Sequence, residues 1–101
     1  IITPSFNPDE NDHVFHQYTL RIINADRNGL LQHLQDKGIP CAIYYPIPLH
    51  SQKAYVDVRY KEEYFPVTNQ LVQEVLSLPM HTELDDEQIK FITDSVIEFL
   101  K

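Results

Sequence analysis

The spacing of hydrophobic positions changes along this chain, and its first clear pattern is that of a strand. Residues 13–23 alternate between two sets of side chains, which is the period of a strand with one buried face. The set expected to face the core is Val14, His16, Tyr18, Leu20 and Ile22. Because buried polar groups are usually hydrogen-bonded, we expect His16 to be a hydrogen-bonded core histidine.

The residues that follow have helical spacing. Asn24 or Asp26 can cap the start of a helix, and Gly38 can supply the left-handed residue at its end. The buried stripe of this helix is expected to be Leu30, Leu31 and Leu34. Residues 39–45 then predict a second strand, in which Cys41 is a small core residue. Strand, helix and strand in this order indicate a βαβ or split βαβ element, whose strand order the sequence leaves open.

Two further helices are predicted in the second half of the chain. Thr68 is expected to cap a short helix, and a brief extended piece that ends at Pro79 follows it. The apolar positions of the short helix are Leu71, Val72, Val75 and Leu76. The last helix is expected to start at Asp85, where Gln88 completes a variant of the capping box. Its apolar stripe consists of Ile89, Ile92, Val96 and Phe99.

These elements together predict the fold class. We expect one small α/β (α+β) domain over residues 13–101, with a β-α-β-type element, a small sheet and about three helices. Residues 1–12 are broken by Pro4 and Pro8, so they are expected to form an extended lead-in or linker. The start of the chain, without an initiator methionine, predicts an excised piece of a longer protein.

Composition and charge narrow the classes of function. The chain has 101 residues, of which 43% are hydrophobic, and a formal net charge of −7. This acidity, without any basic cluster, disfavours binding to nucleic acid or to an anionic membrane surface. No apolar run is long enough to span a bilayer. The single cysteine excludes an internal disulfide, and we expect a cytoplasmic location.

The sequence predicts no catalytic residues and no metal ligands within the chain. His13 and His16 are three residues apart, which on a strand sends their side chains to opposite faces. No zinc-binding motif, nucleophile elbow or glycine-rich phosphate loop is present. No lysine lies in an apolar strand-to-loop setting that would lower its pKa for covalent catalysis. A metal-binding domain is therefore the weakest alternative for this chain.

The segment "AIYYPIPLHSQ", residues 42–52, is the candidate binding segment. Tyr44 and Tyr45 are adjacent on the predicted strand, so their rings are expected to point to opposite faces. Pro46 and Pro48 then end the strand and fix the path of the exit loop. Phenol groups and the imidazole of His50 on a rigid loop suit recognition of a sugar or a phosphate. The alternative, which the residues leave equally open, is a stiff loop whose aromatic rings cover the core.

Four blocks of the sequence resemble a known family, and they cover about nine-tenths of the chain. The blocks are "HVFHQYTLRI", "LQDKGIPCAIYYPIPLHSQKAY", "YKEEYFPVTNQLVQEVLSLPMHTEL" and "QIKFITDSVIEFL". In this order they resemble the C-terminal small domain of the StrS/DegT-type nucleotide-sugar aminotransferases. "YYPIPLH" and "LSLPMH" are the most specific parts of the match. The resemblance implies the small domain of the aspartate-aminotransferase fold, with the large cofactor domain absent from this chain.

The resemblance also implies an activity, a cofactor and partners. Such enzymes use pyridoxal phosphate to transfer an amino group, usually from glutamate, to a keto sugar nucleotide. The cofactor lysine belongs to the large domain, so this chain alone is expected to be inactive and not to bind the cofactor. Partners are its own N-terminal large domain, a second subunit of a homodimer, the nucleotide sugar and glutamate, with no nucleic acid and no membrane.

The resemblance assigns substrate contact to three positions. They are Tyr44, which stands where a histidine is commoner, Tyr45 and the loop residue His50. For His50 the resemblance implies either support of the loop or contact with the ligand. "YYPIPLH" is most like the branch that acts on UDP-linked 3-keto N-acetylated sugars and uronic acids for bacterial surface polysaccharides. A different class of function stays open beside this one, namely a free-standing βαβ module that binds or regulates without catalysis.

Overall fold

The computed structural model describes residues 1–9 and 13–101, so residues 10–12 at the end of the predicted lead-in lie outside the described residues. The described residues form two strands, β1, Tyr18–Arg21, and β2, Val75–Leu78. The three α-helices of the described part are α1, Arg27–Asp36, α2, Pro66–Glu74, and α3, Asp86–Leu100. Short 3-10 turns occupy Leu49–Ser51 and Glu62–Tyr64. A small sheet with three helices confirms the predicted α+β class.

The sheet has a split βαβ arrangement. β1 and β2 pair antiparallel, with Tyr18 opposite Leu78 and Arg21 opposite Val75. Ala42 forms a single antiparallel bridge with Ser77, whose other side faces β1. β2 therefore lies between β1 and the segment around Ala42, which run parallel to each other. A second bridge joins Ile2 to Arg21, so the start of the chain contacts the outer edge of β1.

The predicted strand over residues 13–23 is wrong in its first half. Phe15 has a φ of 47°, and a left-handed residue interrupts both the extended backbone and its alternation of side chains. Val14 is therefore 89% exposed, and His16 is exposed rather than a core histidine. The expected alternation holds from β1 onward, where Leu20 and Ile22 are buried.

The predicted second strand over residues 39–45 is also too long. Only Ala42 pairs with another strand, through amide–carbonyl bonds of 3.1 and 2.8 Å to Ser77. The two prolines that follow cannot donate backbone hydrogen bonds, which leaves the rest of the segment outside the sheet. Ile39 is buried at its start, and Cys41 is half-buried against the core as expected.

Helix α1 follows the prediction closely. The Asp26 carboxylate caps it by accepting a 2.9 Å hydrogen bond from the amide of Gly29. Gly38 lies just beyond its end with a φ of 75°, which a residue without a Cβ adopts at little cost. Leu30 and Leu34 are completely buried, and Leu31 packs against the same core.

Helix α2 starts earlier than predicted, and α3 starts where expected. Pro66 occupies the first turn of α2 after Phe65, so Thr68 lies inside the helix and does not cap it. Val75 and Leu76 belong to β2 rather than to α2. In α3 the Asp85–Gln88 capping box is complete in both directions.

The core lies between the sheet and helices α1 and α3. Its buried members are Leu20, Ile22, Leu30, Leu34, Ile39, Leu76, Ile92 and Val96. Ile89 was expected in this stripe but is exposed, as are Ile97 and Leu100. α3 thus buries part of its apolar surface and leaves the rest uncovered in this chain.

Candidate functional site

The tyrosine pair lies at the point where the chain leaves the sheet. Ala42 is fixed to Ser77, and Tyr44 follows two residues later without a strand partner. The rings of Tyr44 and Tyr45 contact each other edge to face, with centroids 5.8 Å apart. The expectation that they point to opposite faces of a strand is therefore wrong, because no strand continues through them. Tyr44 is 46% exposed and Tyr45 is 71% exposed.

The two tyrosines share one cavity of about 580 Å³, called here the tyrosine cavity. Its opposite wall comes from α2 and the start of β2. The lining residues beside the tyrosines are Ile47, Pro48, Leu49, Gln52, Thr68, Leu71, Val72 and Val75. Most of these side chains are apolar, and a cavity of this size is in the range of small-molecule sites. Polar groups are few, namely the phenols, one hydroxyl and one carboxamide.

His50 lies outside the tyrosine cavity. Its imidazole stacks on the ring of Phe65, with centroids 4.5 Å apart and planes 18° from parallel. It lines a neighbouring cavity of about 410 Å³ with Tyr55 and Tyr60. Leu49 and Thr68 line both cavities, so the two are adjacent. The Nε2 atom of His50 is buried and has no hydrogen-bond partner among the described residues.

Tyr44 also borders a third cavity of about 590 Å³, called here the polar cavity. Its floor includes Cys41, Ala42 and Ser77, and polar side chains surround it. Burial raises the pKa of the Cys41 thiol, which favours the neutral form over the nucleophilic thiolate. The Cys41 thiol donates a 3.8 Å hydrogen bond to the Leu31 carbonyl, so its role is packing.

Sequence reasoning assigned several cavity residues to other roles. Thr68 was expected to be a helix cap, and Leu71, Val72 and Val75 were expected to be apolar positions of the short helix, yet all four line the tyrosine cavity. The "FPV" signal at residues 65–67 could have corrected this, since proline favours the first turn of a helix. Moving the helix start to Pro66 removes Thr68 from the cap position.

The lysines of this chain lie outside the three cavities described above. Lys37, Lys61 and Lys90 form ion pairs with Glu98, Glu63 and Asp94. Lys53 and Lys101 are exposed. No lysine or arginine lines the tyrosine cavity, the polar cavity or the cavity beside His50. These cavities therefore offer neither an amine for a covalent bond nor a cation for a phosphate group.

Among residues 1–9 and 13–101, no three or more histidine, cysteine or carboxylate side chains are grouped so that they could hold a metal ion. Over the same residues, no helix combines the length and the apolarity that a membrane crossing requires.

The fold matches that of solved sugar aminotransferases. The model of the DegT/DnrJ/EryC1/StrS aminotransferase family matches residues 1–97 of this chain. The chain therefore belongs to this aminotransferase family.

Two relatives and one solved structure illustrate the similarity. The chain is 47% identical over 77 residues to a UDP-N-acetyl-3-dehydro-alpha-D-glucosamine 3-aminotransferase of Acidithiobacillus ferrooxidans, covering 76% of this chain and 20% of the relative. It is 42% identical over 82 residues to a UDP-2-acetamido-2-deoxy-3-oxo-D-glucuronate aminotransferase of Pseudomonas aeruginosa, covering 81% and 21%.

The structural similarity covers nearly the whole chain. A crystal structure of DesV from S. venezuelae, in complex with a ketimine intermediate, superposes with a TM-score of 0.85 at 32% identity. The match covers 98% of this chain and 26% of DesV. This chain thus spans about a fifth to a quarter of the length of the proteins it matches.

Proposed function

We propose that this chain is the C-terminal small domain of a pyridoxal-phosphate-dependent nucleotide-sugar aminotransferase. The enzyme transfers an amino group from glutamate to a keto sugar linked to a nucleotide. The match of the family model to residues 1–97 carries this proposal. In the longer protein, residues 13–101 form the small domain and residues 1–12 lead into it.

The substrate class proposed is a UDP-linked 3-keto N-acetylated sugar or uronic acid. Both relatives described above act, by their names, on UDP-linked sugars with an oxo group at carbon 3. Such amino sugars serve bacterial surface polysaccharides, and we place the enzyme in the cytoplasm as a homodimer. The small domain lies beside its own large domain and closes part of the substrate site.

Three residues of this chain are proposed to contact the nucleotide sugar. Tyr45 is the most exposed of them, and its hydroxyl makes no hydrogen bond to a described residue, so it is free to bind a ligand. Tyr44 shares the tyrosine cavity with it. His50 supports the same loop by stacking on Phe65, and it contacts ligand from the adjacent cavity.

The cofactor is proposed to be held by the rest of the longer protein. Pyridoxal phosphate supplies the carbanion chemistry of transamination, and the protein supplies binding and orientation. Because no lysine or arginine lines the cavities described above, this chain contributes orientation of the sugar nucleotide and exclusion of water. The chain alone is expected to be inactive.

The experiment is a Tyr45→Phe substitution in the full-length enzyme. Removing one ligand-facing hydroxyl should lower kcat/KM for the keto sugar nucleotide by about two- to tenfold. The kcat/KM for glutamate should stay unchanged, since the half-reaction with glutamate does not need the Tyr45 hydroxyl. Tyr64→Phe is the matched control, because Tyr64 is also an exposed tyrosine. It lines neither the tyrosine cavity nor the cavity beside His50.

Each other outcome has a definite meaning. An unchanged kcat/KM in Tyr45→Phe would show that this ring only packs. If the full-length wild type binds sugar nucleotides without turnover, the proposed aminotransferase activity is wrong. That result would support a binding or regulatory module instead.

A further inference from the structure

Tyr44 separates two cavities of different chemistry. On one side the tyrosine cavity is walled mainly by Ile47, Leu71, Val72 and Val75. Its carboxamide, on Gln52, already donates a 3.4 Å hydrogen bond to the Ile47 carbonyl. A ligand with many hydroxyl groups would leave most of them unpaired there, which is costly. The apolar side of Tyr44 therefore suits an apolar or aromatic group better than a sugar ring.

On the other side of Tyr44, four polar side chains face the polar cavity. They are His16, Gln17, Gln35 and His81. The side chains of the first three make no hydrogen bond to a described residue. His81 accepts a 3.2 Å bond from the amide of Glu83 through Nδ1, which leaves its Nε2 atom available. Each carboxamide offers donors and an acceptor, and each imidazole adds at least one further polar atom.

The lining of the polar cavity also limits the charge of the ligand that it suits. No Asp, Glu, Lys or Arg side chain lines the polar cavity. A strongly charged ligand group would therefore find no counter-charge in it, whereas a neutral ring with several hydroxyls would find both donors and acceptors. The floor is held in place, because Ala42 and Ser77 exchange two backbone hydrogen bonds beneath it. Its volume of about 590 Å³ lies in the range of small-molecule pockets.

We infer that the polar cavity holds the sugar ring of the substrate, and that it suits the uncharged N-acetylated sugar rather than the uronic acid. His16, Gln35 and His81 bond its hydroxyl or acetamido groups, and Tyr44 forms the side wall. This inference rests on the proposed function, and it adds three residues that determine sugar specificity. A site that hydrogen-bonds hydroxyl groups rejects ligands that lack them, because its polar groups are then left unpaired.

Binding measurements on the full-length protein test the inference without any need for turnover. The probes are UDP-N-acetylglucosamine, which carries the sugar ring, and UDP, which lacks it. The variants are Gln35→Ala and His16→Ala, both at exposed positions, with Gln73→Ala on α2 as the matched control. Calorimetry should give about two- to tenfold weaker binding of UDP-N-acetylglucosamine to each variant. Binding of UDP, and both affinities of Gln73→Ala, should match the wild type, and thermal melts verify that each variant is folded.

Two results would overturn the inference. One is unchanged affinity for UDP-N-acetylglucosamine in both folded variants. The other is equal weakening for UDP, which would place these residues at the nucleotide instead of the sugar. A transaminase assay of the wild type, run in parallel, tests the proposed function separately. Sugar-dependent binding without turnover would contradict the aminotransferase activity and support the sugar-binding role of the polar cavity. Turnover by the wild type, with unchanged binding in both variants, would support the activity and contradict that role.

Discussion

Arg21 and Glu74 connect the end of β1 to the end of α2. The Nε and a terminal nitrogen of Arg21 both donate to one Glu74 carboxylate oxygen, at 2.9 and 2.7 Å. The other oxygen accepts a 2.8 Å bond from Gln70 on the same helix. The helix that forms the wall of the tyrosine cavity is thus tied to the sheet at its last residue.

This pair predicts a dependence of stability on pH. The hydrogen bond from Gln70, followed by those from Arg21, lowers the pKa of Glu74 from its ordinary value of 4.5. A carboxylate with a lowered folded pKa stabilises the fold above its unfolded pKa, and that stability is lost as the pH falls through the folded pKa. We expect the free energy of unfolding to fall below pH 4.5, and Glu74→Gln to flatten this fall.

Denaturant unfolding between pH 7 and pH 3 checks the prediction. Glu83→Gln is the control, since Glu83 is exposed and forms no salt bridge with a described residue. If Glu74→Gln and wild type lose stability in parallel on acidification, the pair does not contribute.

Gly29 predicts an unusual effect of alanine in a helix. A Cβ at this position would lie 2.6 Å from the Asp26 Oδ2 atom and 3.0 Å from the ring of Phe99. Alanine normally stabilises a helix relative to glycine by about 0.5–1 kcal/mol. Here it displaces the capping carboxylate, so we expect Gly29→Ala to destabilise the chain by about 1 kcal/mol.

A double-mutant cycle identifies the cause. If Gly29→Ala acts through the cap, adding Asp26→Ala should cost less than Asp26→Ala costs alone. Fully additive free energies of unfolding would contradict this explanation and leave the contact with Phe99 as the source.

The capping box of α3 predicts a second local effect. Asp85 accepts a 2.8 Å bond from the Gln88 amide, and the Gln88 side chain accepts a 3.1 Å bond from the Asp85 amide. Asp85→Ala should lower stability by about 0.5–2 kcal/mol, measured by thermal unfolding. Asp86→Ala is the control because it retains both bonds, and an equal loss in the two variants would argue against the capping role.

The exposed apolar residues of α3 predict self-association of the isolated chain. Ile89, Ile97 and Leu100 are all exposed, and exposed apolar surface promotes association. We expect concentration-dependent oligomers in sedimentation experiments and a shift toward monomer in Ile97→Lys. Val58→Lys, at a loop residue that is 92% exposed, should not produce this shift. A strictly monomeric wild type at high concentration would contradict the prediction.

Local signals in the sequence predicted the helices and most of the core. The caps of α1 and α3 depend on residues three positions apart, and Leu34 lies in a stripe set by helical spacing, so no distant partner is needed to recognise them. Strand lengths could not be predicted in this way, because the pairing of Ala42 depends on Ser77, far away in sequence. His16 was misplaced since one left-handed residue, Phe15, resets the alternation.

Only part of the candidate site could be predicted from the sequence, because its other residues are distant from one another along the chain. Tyr44 and Tyr45 were found from a motif, and their shared cavity exists because α2 lies opposite them. His16, Gln35 and His81 come from three separate segments, and no spacing in the sequence could have brought them together.

The single bridge between Ala42 and Ser77 holds the tyrosine-bearing segment by fewer backbone hydrogen bonds than those that join β1 to β2. Four residue pairs join β1 to β2, whereas a single pair joins the tyrosine-bearing segment to β2. Local opening that breaks two backbone hydrogen bonds would release this segment and leave the β1–β2 register intact. The amide of Ala42 should therefore exchange with solvent deuterium faster than the paired amides of β1. The wall between the two cavities would then be able to shift without global unfolding.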